Sequence, residues 1–113
     1  MTSITQFNQR SWSKNMKIGP GESVIIVLHT PREKYLAIVD EISPAGVFAR
    51  TIDLGYFDDW CRSITEGEPY LPMDATFLPM WRIERITLDA SSQGHPSMAE
   101  QFEKRIGKSL GEF

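Results

Sequence analysis

The hydrophobic pattern of this chain changes period several times, and each change marks an element. Residues 1–18 place Ile4, Phe7, Trp12, Met16 and Ile18 in a background of Ser, Thr, Asn and Gln. So weak a repeat predicts an arm with at most a turn of helix. Gly19-Pro20-Gly21 breaks any regular structure there. Val24-Ile25-Ile26-Val27-Leu28 is aliphatic and mostly β-branched, the pattern of a strand buried on both faces. A turn at Thr30-Pro31-Arg32-Glu33 leads to a second strand, Tyr35–Val39. Ser43-Pro44-Ala45-Gly46 has the type I turn preferences at three positions and leads to a third strand, Val47–Ile52. Along that strand Phe48, Arg50 and Ile52 share one face, and Val47, Ala49 and Thr51 the other. Two short connections in succession predict an antiparallel meander.

At Phe57 the period becomes helical. Phe57, Trp60, Cys61 and Ile64 recur at i, i+3, i+4 and i+7, so they share one helical face. Asp58 and Asp59 sit in the first turn, where negative charge is favoured, and Arg62 follows Asp58 by four residues. Gly67 and Pro69 end the helix. A second β block runs from Thr76 to Leu88, and Pro79 predicts a break or sharp bend within it. Residues 90–96 form a linker. Ser97 and Glu100 then have capping-box spacing, opening an amphipathic helix with Met98, Phe102, Ile106 and Leu110 in one stripe.

Length and composition narrow the class. A chain of 113 residues fits one domain. Its 41% hydrophobic and 24% charged content is that of an ordinary globular protein. Cys61 is the only cysteine, which excludes an internal disulfide and a multi-cysteine zinc site. The longest aliphatic run is too short for a membrane span, and the N-terminus lacks the charge and apolar core of a secretion signal, so the expected setting is cytoplasmic. The net charge of −3 hides an asymmetry. Residues 1–21 carry Arg10, Lys14 and Lys17 with no acid, whereas the remainder carries nine basic and fifteen acidic side chains. A basic arm precedes an acidic body.

The residues that could carry chemistry read mainly as structural. Asp53, Asp58 and Asp59 flank a helix start, where a turn-capping or dipole-complementing role is expected. His29, His95 and Cys61 fall in no metal-ligand spacing, and the helical neighbours of Cys61 predict burial. Gly19-Pro20-Gly21 precedes a strand instead of following one, and its proline has no N–H for a phosphate. No catalytic residue, metal or cofactor is therefore expected. Among the aromatic residues Trp60, Trp81, Phe48, Phe57, Phe77 and Phe102, most have core spacing, and core is the expected place for them. Trp12, beside Arg10 and Lys14, suits a nucleic acid, an anionic surface or a neighbouring subunit, and equally a tail whose Trp tucks onto its own body.

The run 22–89 resembles the Sm-like fold, a small, strongly bent five-stranded antiparallel barrel. The resemblance rests on Ser23–Leu28 as first strand, Arg32-Glu33-Lys34-Tyr35-Leu36-Ala37 entering the second, Val39-Asp40-Glu41-Ile42 before a turn, and Phe77–Ile86 as the closing pair. It implies a mainly β chain in three parts: a basic arm (1–21), the barrel with a short inserted helix near 56–66 (22–89), and a linker with a C-terminal helix (90–113). The Asn that RNA-binding relatives place after the second strand is replaced by Ser43-Pro44-Ala45-Gly46, and their basic element between the last strands by Leu78-Pro79-Met80-Trp81. The resemblance thus implies a non-catalytic binding or assembly module with a protein or RNA partner. A second resemblance competes. Glu41-Ile42-Ser43-Pro44-Ala45-Gly46 is similar to the motif of PilZ domains, which implies cyclic di-GMP held by Ser43, Gly46 and the arm's Arg10 and Lys14. The small barrel implies open strand edges, expected at Val24–Leu28 and 76–81, where Trp81, Met80 and Leu78 cluster. Pairing of those edges predicts a homo-oligomer, unless the C-terminal helix lies across them.

Overall fold

A computed structural model describes residues 18–113; Arg10, Trp12 and Lys14 lie outside that range. Five strands, β1 (Ser23–Leu28), β2 (Glu33–Ser43), β3 (Gly46–Asp53), β4 (Asp74–Pro79) and β5 (Ile83–Leu88), form one antiparallel sheet in the order β4-β3-β2-β1-β5. Two helices, α1 (Phe57–Glu66) and α2 (Met98–Ile106), accompany it. The expected meander is present, with β2 and β3 longer than their apolar cores alone suggest. Pro79 ends β4, and a single 3₁₀ turn, Met80–Arg82, leads into β5. That is the break its missing N–H demands.

The long-range pairing departs from expectation at one strand. Val24–Leu28 is not an edge: β1 pairs with β2 on one side and β5 on the other. This interior position explains why its sequence needs no charge. The free edges are β4 and β5, which do not pair with each other, so the sheet is not closed into a barrel.

Both faces of the sheet are buried, by different means. On the first face Val24, Ile26, Leu28, Ala37, Val39, Val47, Ala49 and Leu78 form a core, joined by Ile83, Ile86 and Leu88 of β5. Among the described residues no helix contributes to this cluster. Its side chains are shielded by one another and by flanking residues of β4 and β5. On the second face Leu36 and Ile52 meet Phe57, Trp60 and Cys61 of α1, Phe102 of α2 and Leu110 beyond it. The period-2 alternation of the strands supplies one set of side chains to each core.

The helices follow their sequence signals, with two changes of detail. Asp53 accepts from the Gly55 N–H at 2.8 Å and so caps the 3₁₀ turn that precedes α1. Arg62 pairs with Asp59 at 2.9 Å rather than with Asp58, which reaches across to Arg105 of α2 at 3.0 Å. At the start of α2, Ser97 and Glu100 form the expected capping box. The helix stops at Gly107, which is left-handed (φ 85), and Leu110 reaches the core from a separate 3₁₀ turn.

The other N-terminal donors of α2 are met by a residue with no local signal. The Asp89 carboxylate accepts from the N–H groups of Met98 (2.7 Å) and Ala99 (2.9 Å) and from the Ser23 hydroxyl (3.0 Å). It ties the end of β5 to the start of β1 and to the helix. Asp89→Ala is expected to cost about 1–2 kcal/mol, since it strands helix-end donors and removes an anion from the dipole's positive end. Chemical denaturation should show this as a lower midpoint at unchanged slope.

Candidate functional site

The helical layer is shorter than the sheet it covers. At 1.5 Å per residue, ten- and nine-residue helices extend about 14–15 Å, whereas at 3.3 Å per residue the eight residues of β3 extend about 26 Å. The end of the second face nearest the β2–β3 turn is left bare, outside the core that the helices cover. Phe48 of β3 and Phe77 of β4 lie there as register partners, 45% and 41% exposed, with ring centroids 4.6 Å apart and planes tilted by 46°. Both were expected in the core. They alternate with buried neighbours, but strand periodicity identifies a face and does not reveal whether a covering layer reaches that far.

Together they floor a groove of about 720 Å³, completed by Ile38, Arg50 and Ala75 and walled by Pro20 and Gly21. That volume suits a few side chains or a small ligand. Arg50 closes the helical end, where its guanidinium donates to the Gly111 carbonyl at 2.9 Å. The opposite rim is acidic. Asp40 is the extra residue of a bulge between Val39 and Glu41, and Glu41 stands in register with Phe48 on the groove face. Glu22 follows Gly21 at the wall, and all three acids are exposed. The bulge lets two residues of β2 oppose one of β3, which adds a carboxylate at the mouth without changing the alternation beyond it.

Of the expected site residues within 18–113, Ser43, Gly46 and Trp81 share one end of the sheet. The Ser43 hydroxyl accepts from the Ala45 N–H (3.2 Å) and donates to the Gly46 carbonyl (3.4 Å), closing the hairpin turn. Gly46 pairs with Pro79, and a Cβ there would meet the Leu78 carbonyl and the Phe77 ring. The Met80 N–H donates to the Ala45 carbonyl at 2.9 Å, which fixes the 3₁₀ turn against the hairpin and leaves Trp81 69% exposed. None of these side chains lines the groove.

Titratable groups elsewhere are engaged in structure. The Arg82 guanidinium reaches Glu33 at 2.7 Å and also donates to the carbonyls of His29 and Pro31. Arg82, with help from the Tyr35 hydroxyl, holds the Glu33 carboxyl below its ordinary range. Burial pushes the Cys61 thiol up, which keeps it protonated and inert. Among the described residues no group of three His, Cys, Asp or Glu side chains stands together as a metal site, and no helix is long and apolar enough to cross a membrane. Compared with family models, with curated proteins and with solved structures, the chain finds no match in any of the three.

Proposed function

We propose that this protein is a non-catalytic binding and assembly module on an Sm-like open barrel, and that copies of it associate through the edges of β4 and β5. The observation that carries the reading is the pair of free edges: each of these strands pairs on one side only, and neither pairs with the other. A rolled sheet is supported by the link between them. Four strand spacings would separate the edges of a flat sheet by about 19 Å. A single 3₁₀ turn advances only roughly 8 Å from Pro79 to Ile83. The edges therefore approach at this end, as they do in Sm-like barrels, while their outward backbone groups stay available.

An available edge is a template for another strand. β4 is defended only by Asp74 at its start and Pro79 at its end. Beside it Met80 and Trp81 are 37% and 69% exposed, apolar surface of the kind interfaces bury. A β4 edge meeting a β5 edge is head-to-tail and gives a ring where the rotation between copies closes, whereas like edges meeting give a two-fold dimer. A protein partner fits the surface better than RNA. Fifteen acidic side chains of residues 22–113 outnumber nine basic ones, and four of the nine, Arg32, Arg62, Arg82 and Arg105, already face a carboxylate, which disfavours a polyanion.

Light scattering at micromolar concentration tests this. The expected mass is a multiple of 12.9 kDa, falling toward a single chain in Trp81→Glu. A wild-type mass of one chain overturns the assembly reading.

A further inference from the structure

The groove over Phe48 and Phe77 is distinct from the free edges and needs its own occupant. Its walls say where that occupant comes from. Pro20 and Gly21 form one side, so the approach to β1 runs beside the groove a few residues after the described chain begins. This approach is fixed by hydrogen bonds: the Gly21 N–H donates to the Val39 carbonyl at 2.8 Å, and the Val39 N–H donates to the Glu22 carbonyl at 3.0 Å. Gly21 is left-handed (φ 87), a turn that redirects the backbone just before it enters β1 and that other residues adopt at a cost. Ile18, the first described residue, packs against the core of the opposite face.

The seventeen residues beyond this point carry what the groove lacks. They contain the apolar residues Ile4, Phe7, Trp12 and Met16, and the cations Arg10, Lys14 and Lys17 with no acid. The groove offers two half-exposed phenyl rings on its floor and Glu22, Asp40 and Glu41 at its mouth. Its one cation, Arg50, is turned to the Gly111 carbonyl at the far end. Reach is not limiting. Ile18 lies six positions after Trp12, about 20 Å when extended, against a sheet whose packing layer is about 10 Å thick.

We propose that residues 1–17 dock in this groove on their own chain, with Trp12 against Phe48 and Phe77 and the cations of the arm against Asp40, Glu41 and Glu22. The arm then completes the second face where the helical layer stops short. Burial of Trp12 supplies most of the attachment, and the screened charge pairs direct it. This inference does not depend on edge pairing, and its readout is separate from the mass of the assembly.

The experiment uses the full chain with Ser13→Cys carrying a nitroxide; buried Cys61 does not compete for the label. In ¹⁵N-labelled protein the amide signals of Ala75 and Phe77 are expected to lose most of their intensity, and to regain it in Asp40→Lys or in high salt. Asp40 is exposed, so its replacement leaves the fold in place. In the Trp81→Glu background, where copies are expected not to pair, a mixture of ¹⁵N protein without nitroxide and nitroxide-labelled ¹⁴N protein should leave these signals unchanged. Absence of broadening in the first sample overturns the proposal. So does broadening in the mixture, which would make a second copy the occupant. Broadening that survives both Asp40→Lys and Phe77→Ser would place the arm elsewhere and overturn it as well.

Discussion

Replacing Trp60 with Ala is expected to destabilise the protein by roughly 3–5 kcal/mol, the range for buried aromatic side chains. The indole is fully buried on the inner face of α1 and sits at the centre of an aromatic group. Phe102 of α2 lies 5.0 Å away, Phe57 6.5 Å, and the Phe113 ring meets it edge-on at 6.3 Å. Its Nε1–H donates to the Leu71 carbonyl at 2.7 Å, which ties the loop before β4 to the helix. Truncation therefore removes the seam between α1, α2 and the sheet and also leaves a backbone carbonyl without its donor. Trp60→Phe should recover most of the packing but not the hydrogen bond, leaving a deficit of about 1–2 kcal/mol. Thermal unfolding followed by circular dichroism checks both. An unchanged melting temperature in Trp60→Ala would show that the indole does not hold the second core together.

Trp60 was legible because a helix advertises its buried face locally: Phe57, Trp60 and Cys61 recur at the right spacing within one turn and a half. The same holds for the turn at Ser43–Gly46, the break at Pro79 and the capping box at Ser97, each encoded within a few residues of where it acts. What the sequence did not disclose depends on residues far apart. β5 pairs with β1 across more than fifty intervening residues, and nothing in Val24–Leu28 names its second neighbour. An all-aliphatic strand is equally consistent with an unguarded edge and with a centre, and here it is the centre. Asp89 lies eight residues upstream of the capping Ser97, too far for a capping pattern to register. The groove was hidden for a related reason. Phe48 and Phe77 have the same alternation as buried residues, and they are bare because they lie outside the core that the helices cover. The bulge at Asp40, which builds the acidic rim, carries neither glycine nor proline to mark it.

Gly46→Val is expected to cost about 3 kcal/mol, the upper part of the range for overpacking, because the obstruction is backbone and not the far end of a flexible side chain. A Cβ at this position would collide with the Leu78 carbonyl and the Phe77 ring. Gly46 pairs with Pro79 and Val47 with Leu78, so the only relief is for β4 to move away from β3. That movement would separate Phe77 from Phe48, withdraw Leu78 from the first core and loosen the 3₁₀ turn that the Ala45 carbonyl holds through Met80. The damage should be local at first. Amides of residues 75–80 are expected to lose hydrogen-exchange protection, while those of β1 and α1 keep theirs. The same change separates two roles for Gly46. A glycine kept clear for a nucleotide could accept a small side chain with loss of binding alone, whereas a glycine kept clear for β4 cannot accept one without loss of stability. Gly46→Val with wild-type stability and intact protection at Phe77 and Leu78 would rule out the second role.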